Sequence, residues 1–600
     1  MFSRVSVVAM TLDAPRTSEA NLVLETDLSV TTLSPSAKRS DLKIIQPETT
    51  FTGGPILKIK KGLPKETQSL CPECSKVIAA REFEENGKVM MDKTCPEHGY
   101  FKDCVYSDVA LYLKMEEWEF GDSRGLENPA INKGADSVCP DDCGLCSLHT
   151  SHSALANVDL TNRCNLTCPV CFANANAAGY LYEPDMDGVR VMLQALRDER
   201  PVAGRVVQFS GGEPTIHPNF VEICAMAREM GFSHIQAATN GLMIGASLEF
   251  TQRCKAAGLA TLYLQFDGVT DDVYRKTRGE PLFEKKMACI ENCRKAGIKI
   301  VFVPTIVKGV NDHELGAILK VAIDNVDTVS GISFQPVAFT GRIARKELEE
   351  KRFTLPDMAF ALSEQTGMFD KYNDWFPLSA VTPFSKLMAA IRGAGVPTIS
   401  CHPHCSLGTY MFVDEKSGKA VPVTQFVDMP GMLQDIEKLA QSAEKSFFKS
   451  KYYHGAKAFL QLNKHFKQEF APPGLTFQKF LDTLQGMTDK KLGRDGMDGT
   501  FTYRTLLVAG MHFMDHHNYD VERVKRCVIQ YAAPNGKLYP FCTYNSGPTY
   551  REKIEKEFSM PFEQQLKRFG FAPAASKSHA HGAHSCECSS GTCCGGKKDA

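Results

Sequence analysis

The 600-residue chain has no run approaching the ~18 consecutive apolar residues of a membrane span. It also lacks charge of one sign. Sixty-nine Lys and Arg against 70 Asp and Glu leave a formal net charge of −1, so the electrostatic footprint of a dedicated nucleic-acid binder is missing and no nucleic-acid partner is expected. Met1 to Arg16 is too short and interrupted for a signal peptide, with Asp13 close behind its one apolar run; a cytoplasmic setting is expected. Cysteine is too sparse for a disulfide scaffold, with 22 in 600 residues where such scaffolds carry roughly 8–10%. Apart from one repeated cysteine triplet there is no internal repeat. With 43% hydrophobic and 23% charged residues, the chain can bury a large core without staples.

What is present is cysteine in tight groups, which without a signal peptide reads as metal binding rather than cross-linking. Residues 1–50, rich in Ser and Thr, are expected to be a disordered leader, and the Cys/His-rich tail 572–600 likewise. Between them we expect a zinc-ribbon-like metal site at 55–120, a cysteine segment at 135–152, an α/β core at 153–345 and a mainly helical region at 346–565. In the core, apolar runs at 156–160, 205–209, 234–238, 261–266, 299–304 and 331–335 read as buried strands. Segments of helical period separate them, near 186–199, 219–230, 246–257, 283–296 and 312–325. Six strands with right-handed crossovers predict a parallel sheet curling into a partial (β/α)6 barrel, short of the eight units of a closed one.

The first strand opens into Thr-Asn-Arg-Cys164-Asn-Leu-Thr-Cys168-Pro-Val-Cys171. Three thiols on one loop at the carboxyl end of a strand sit where α/β folds place their ligands. A 4Fe–4S cube normally takes four thiolates, so three leave one iron open to chelation. A zinc site is the bland alternative, though zinc prefers four ligands, usually in C-x2-C pairs. The next strand ends in Gly211-Gly212-Glu213-Pro214, where two glycines let backbone approach a ligand and Glu213 can accept from an ammonium group.

Other cysteines suggest further metals. Cys71-Pro-Glu-Cys74 and Cys95-Pro-Glu-His98 supply four ligands for mononuclear zinc or iron, with Cys104 a substitute for His98. Cys139, Cys143 and Cys146 repeat the core triplet's spacing but lack the strand and the Gly-Gly-Glu, so they read as an auxiliary 4Fe–4S site. His149, His152 and Cys104 are candidates for its fourth ligand. Cys401, Cys405, Cys527 and Cys542 make a second auxiliary set that would tie the C-terminal region to the barrel; buried, inert thiols are the alternative. Cys224, Cys254, Cys289 and Cys293 read as core. His579, His581, His584, Cys586, Cys588, Cys593 and Cys594 read as a metal-collecting appendage.

The cysteine loop followed one strand later by Gly-Gly-Glu-Pro resembles the radical S-adenosylmethionine (SAM) superfamily. The loops Thr239-Asn240-Gly241, Gln265-Phe266-Asp267-Gly268 and Val303-Pro304-Thr305 agree with it. The resemblance implies that the methionyl amine and carboxylate of SAM chelate the open iron, with Gly211, Gly212, Glu213, Pro214, Thr239, Asn240 and Asp267 around the cofactor. A flavodoxin- or ferredoxin-type reductant would supply one electron, and the resulting 5′-deoxyadenosyl radical would take hydrogen from an unactivated C–H bond. The cofactor carries the hard chemistry while the protein positions and excludes water.

Across residues 55 to 560 the chain resembles one group within that superfamily. This group includes the archaeal tetraether lipid synthase, and some members have been described as pterin methyltransferases. Cys71 to Cys74, Cys139 to Cys146, Gln265 to Gly268, Cys401 to Tyr410, Gly510 to Asp515 and Tyr539 to Cys542 carry the match. The resemblance implies three 4Fe–4S clusters and one mononuclear metal. The first expectation for substrate is coupling of membrane-lipid chains, with a pterin as the alternative. Lysines and aromatics interleaved over 445–467 allow peripheral membrane contact, and Met511, Phe513 and Met514 could line an apolar channel. A peptide-modifying radical enzyme is a further alternative, although Gly536 stands six residues before Cys542 where five are usual. A non-catalytic electron carrier would have no use for Gly-Gly-Glu-Pro.

Overall fold

The computed structural model describes residues 25–26, 29–30, 58–121, 136–200, 202–340, 348–392, 397–445, 460–488, 503–546 and 550–561. The chain divides into two units, Met1–Phe51 and Thr52–Ala600. In the first, β1 (Glu25–Thr26) pairs antiparallel with β2 (Ser29–Val30). The rest of the leader, the Cys/His tail and most of the lysine–aromatic stretch lie outside the described residues.

The second unit begins with an antiparallel ribbon, β3 (Lys65–Leu70), β4 (Val77–Glu85), β5 (Lys88–Cys95) and β6 (Gly99–Tyr106), paired in that order. Asn86-Gly87, both at positive φ (54° and 75°), makes the tight β4–β5 turn. The Cys71 knuckle closes between β3 and β4, with the Cys71 N–H donating to the Lys76 carbonyl at 2.9 Å and Ser75 in the left-handed region.

The core sheet is the expected one. Its six strands are β7 (Leu155–Thr161), β8 (Val206–Gly211), β9 (His234–Thr239), β10 (Leu259–Gln265), β11 (Lys299–Val303) and β13 (Val329–Pro336), parallel in sequence order. A short β12 (Thr305–Ile306) pairs with the end of β13. Helices at Met186–Arg197, Phe220–Glu229, Leu248–Ala257, Phe283–Ala296 and Leu315–Asp324 fill the crossovers. Asp185 and Ser247 cap two of them by accepting from the N–H groups of Gly188 and Phe250.

The strands show a period of two. Val158, Leu160, Val207, Phe209, Ile235, Leu262, Leu264 and Phe302 are buried in one large core with the helices. The alternate positions carry Asn157, Gln208, Ser210, Tyr263 and Gln265, which line a cavity on the concave face.

The C-terminal region is largely helical and also contributes strands that its helical periodicity hides. β16 (Tyr503–Met511) adds parallel to β13 at one edge, and β17 (Ile529–Ala532) adds parallel to β7 at the other. Six parallel strands thus become eight. β14 (Ser406–Asp414) and β15 (Ala420–Pro422) extend the β16 edge, and β18 (Leu538–Pro540) extends the β17 edge, all antiparallel. The sheet stays open because β16 and β17 pair outward, not with each other.

Candidate active site

The cysteine loop leaves β7 and is held by the Asn176 side chain and by backbone bonds from β8. Asn176, in the left-handed region at φ 65°, accepts the Cys164 N–H at 2.9 Å and donates to the Cys164 and Leu166 carbonyls at 2.8 and 3.2 Å. The two glycines serve the same loop. Gly212 donates to the Thr161 carbonyl at 2.7 Å, and Glu213 to the Arg163 carbonyl at 2.8 Å. A Cβ on Gly211 would lie 2.3 Å from the Thr161 oxygen, and one on Gly212 would lie 2.1 Å from the Arg163 oxygen. The expected close approach is therefore to the cysteine loop itself: β8 is zipped against the segment that carries the thiols.

Glu213 is likewise committed within the protein. Its carboxylate accepts from Thr215 N and Oγ1 (3.1 and 2.5 Å), Thr239 Oγ1 (2.7 Å) and Asn240 N (2.8 Å). Burial pushes its pKa up, against these donors. It binds the end of β8 to the end of β9 and leaves backbone groups at the cavity surface. Asn240 donates to Asn165 Oδ1 at 2.7 Å, joining the β9 loop to the cysteine loop.

Asp267 is fully buried and held by Arg278 in a fork at 2.6 and 2.8 Å, with Gln265 Nε2 and Thr305 N completing its shell. Arg278 also donates to the Val170 carbonyl at 3.1 Å and bonds the Cys168 thiol, placing a fixed cation against the loop. Lys286 donates to the Asn240 carbonyl at 2.6 Å; burial lowers its pKa to about 8. Sequence reasoning missed both, because a lone basic residue on a helix carries no signal until its distant partners are known.

Cys164, Cys168 and Cys171 all line the cavity of about 250 Å3, with Gly211, Gly212 and Glu213 on the same wall. Burial raises the Cys164 thiol to about 12 and also raises Cys168, which Arg278 opposes. Among the described residues, Cys71, Cys74, Cys95 and His98 form the set whose ligand atoms all lie within 4.8 Å of one another. Met511, Phe513 and Met514 line the same cavity as the core cysteines, joined by Phe172, Tyr531 and Phe541.

At the ribbon, the His98 ring lies 3.5 Å from the Cys95 sulfur and lowers that thiol to about 6. Cys104 is not in this set; burial raises it to about 11 beside Asp103. Cys139, Cys143 and Cys146 feel one another electrostatically, as do Cys401, Cys405, Cys527 and Cys542. Two candidates for the fourth ligand of the first group are engaged elsewhere: His149 Nε2 faces the Cys527 carbonyl at 2.8 Å, and His152 Nε2 accepts from Thr398 N at 3.0 Å. Cys224, Cys254, Cys289 and Cys293 are fully buried in helices.

A three-thiol loop at the end of the first strand of an open α/β barrel, zipped to a Gly-Gly strand end, defines a radical SAM fold. The Radical SAM superfamily model matches residues 158–322, and the HMPTM N-terminal zinc ribbon domain matches residues 63–107. The class implies SAM and one 4Fe–4S cluster, and the ribbon adds a further metal site. More particularly, a 7,8-dihydro-6-hydroxymethylpterin dimethyltransferase of Methanocaldococcus jannaschii is 42% identical over 503 residues, spanning 84% of this chain and 97% of the relative. The chain belongs to that enzyme's family. An Fe-coproporphyrin III synthase of Methanosarcina barkeri is 29% identical over 201 residues, 32% of this chain and 48% of that protein. The solved structure of Streptococcus suis SuiB bound to SAM aligns with 36% of this chain and 47% of that one, at 16% identity and a TM-score of 0.28.

Proposed function

We propose that this protein is a radical SAM methyltransferase acting on a hydroxymethylpterin-type ring. The carrying observation is the 42% identity that runs through nearly the whole of the pterin dimethyltransferase. The lipid-coupling expectation finds no support in the comparisons, and neither does peripheral membrane contact; no helix among the described residues is long and apolar enough to cross a bilayer.

In this reading Cys164, Cys168 and Cys171 hold the cofactor-binding cluster, which with SAM supplies one-electron chemistry when reduced by a flavodoxin- or ferredoxin-type partner. The chain's own work is positional. Asn176, Gly211 and Gly212 fix the loop, Glu213 and Asn240 lock β8 to β9, and Arg278 sets a buried positive charge beside Cys168. The concave amides and apolar wall exclude bulk water from the reacting centre. The ribbon's Cys71, Cys74, Cys95 and His98 would hold zinc. Cys139, Cys143 and Cys146, and the set Cys401, Cys405, Cys527 and Cys542, would hold two further clusters.

Anaerobically reconstituted protein with reductant, the dihydropterin and SAM in excess should return a pterin heavier by one or two methyl groups; per methyl, one SAM would be cleaved to 5′-deoxyadenosine and methionine and a second would give up its methyl and leave as S-adenosylhomocysteine, the reductant supplying two electrons. Cys164→Ala should abolish both 5′-deoxyadenosine and the methylated pterin. Deoxyadenosine release with an unchanged pterin, alongside coupled lipid chains, would overturn the substrate reading.

A further inference from the structure

The cavity lining is chemically mixed. The ends of β7 to β11 present glycine backbone and amides near the cysteine loop. Four separate segments, the cysteine loop among them, contribute aromatic rings. Phe172 directly follows Cys171, Phe513 follows β16, Tyr531 lies on β17 and Phe541 follows β18. All four line the same cavity. Phe513 and Phe541 stack with centroids 3.9 Å apart and planes 24° from parallel. Tyr531 lies 5.4 Å from Phe541, and Phe172 lies 6.0 Å from it. Behind them the Arg551 guanidinium sits over Tyr531 and Tyr544 at 5.1 and 4.9 Å, held by Asp159 and Asn545.

We infer that these rings, with Phe172 as the open face and Phe541 as the floor, form a stacking site for a planar heteroaromatic ring, the substrate's pterin. This rests on the pterin reading above and deepens it. The physical case has three parts. Aromatic faces reward flat π-systems with offset stacking that an alkyl chain cannot return. Phe172 lines the cavity 6.0 Å from Phe541, so a flat ring entering there meets an aromatic side chain. The Gln335 amide lines the same cavity and offers a donor and an acceptor of the kind a pterin edge displays, whereas Gln208 is already bonded to Asn157 and Gln236 at 2.8 and 2.7 Å.

The experiment measures equilibrium binding to the anaerobic holoenzyme of 7,8-dihydro-6-hydroxymethylpterin, guanine and decanol. It compares wild type with Phe172→Leu, Phe172→Tyr and Phe541→Leu. Cluster absorbance and circular dichroism serve as the check on folding, and Phe172→Leu, at the exposed position, is the variant least exposed to that risk. The expected result is pterin binding weakened about tenfold by each Leu change, the scale of one lost ring–ring contact, and restored in Phe172→Tyr. Unchanged pterin affinity in both Leu variants would overturn the stacking site while leaving the pterin function standing. Binding of guanine but not pterin, with the same Leu and Tyr pattern, would keep the site and overturn the pterin function. A preference for decanol over both heterocycles would overturn both.

Discussion

Several residues at the start of the barrel do their work by being buried where their chemistry is uncomfortable. Glu199 is fully buried; Ser153 donates to its Oε1 at 2.9 Å while Oε2 has no partner. Burial raises its pKa to about 8, so the acid is neutral in the fold at pH 7 and ionised in the unfolded chain. The folded state binds the extra proton between the two values, and stability falls as pH rises through that window. Its contribution is full below about pH 4.5 and lost above about pH 8. Glu199→Gln should flatten the pH dependence of urea midpoints between pH 5 and pH 9, by roughly 1–3 kcal/mol. An identical slope in the variant would refute the assignment. No such burial is visible in the sequence, where Glu199 closes the segment of helical period at 186–199 between Asp198 and Arg200. The same holds for Arg278 and Asp267, 11 positions apart, whose buried pairing makes loss of either partner cost about 3–5 kcal/mol.

Among the elements, the core strands were legible because each is an apolar run bounded by a helix of clear period. β16 was not: Leu506 to Ala509 is as apolar as any core strand, but it pairs residues such as Gly331 with Leu507 and Ser406 with Met511, and pairing over such distances leaves no local mark. β17 is four residues long. The ribbon was legible from its knuckles, but its attachment was not. Ser75 Oγ lies 3.1 Å from His516 Nε2, and Lys93 donates to the His516 carbonyl at 2.6 Å. Arg352 bridges Asp103 of β6 and Asp515, and Thr67 donates to Asp520 at 2.7 Å. The ribbon therefore braces the loop that begins with Met511, Phe513 and Met514 on the cavity wall. Chelating the ribbon metal should raise amide exchange across 511–520 by about tenfold or more, with 234–303 unaffected, since local opening follows the loss of local contacts. Unaltered exchange in 511–520 would show that the brace holds without the metal.

At the scale of the whole molecule, the parallel strands end at β16 and β17, and each is covered by antiparallel strands, so neither is left as an unpaired edge. The segment from Met511 to Ile529 links β16 to β17, and the Phe513–Phe541 stack joins the chain after β16 to the chain after β18 across the seam between them. The second auxiliary cysteine set lies at the same place. Cys401 and Cys405 precede β14, Cys527 precedes β17 and Cys542 follows β18, while the Met514 N–H donates to the Cys542 sulfur at 3.4 Å. Burial raises Cys401 and Cys527 to about 12, so the thiols stay protonated and mutually tolerable until a metal takes the protons' place. A cluster held by all four would close the barrel's seam as a covalent clasp. Two outcomes separate that from inert buried thiols. Removing Cys164, Cys168 and Cys171 together should leave about eight irons in two cubes, whereas Cys542→Ser in the wild-type background should remove about four and speed protease cleavage between Met511 and Ile529. Full iron retention in Cys542→Ser, with cleavage unchanged, would return these four cysteines to the hydrophobic core.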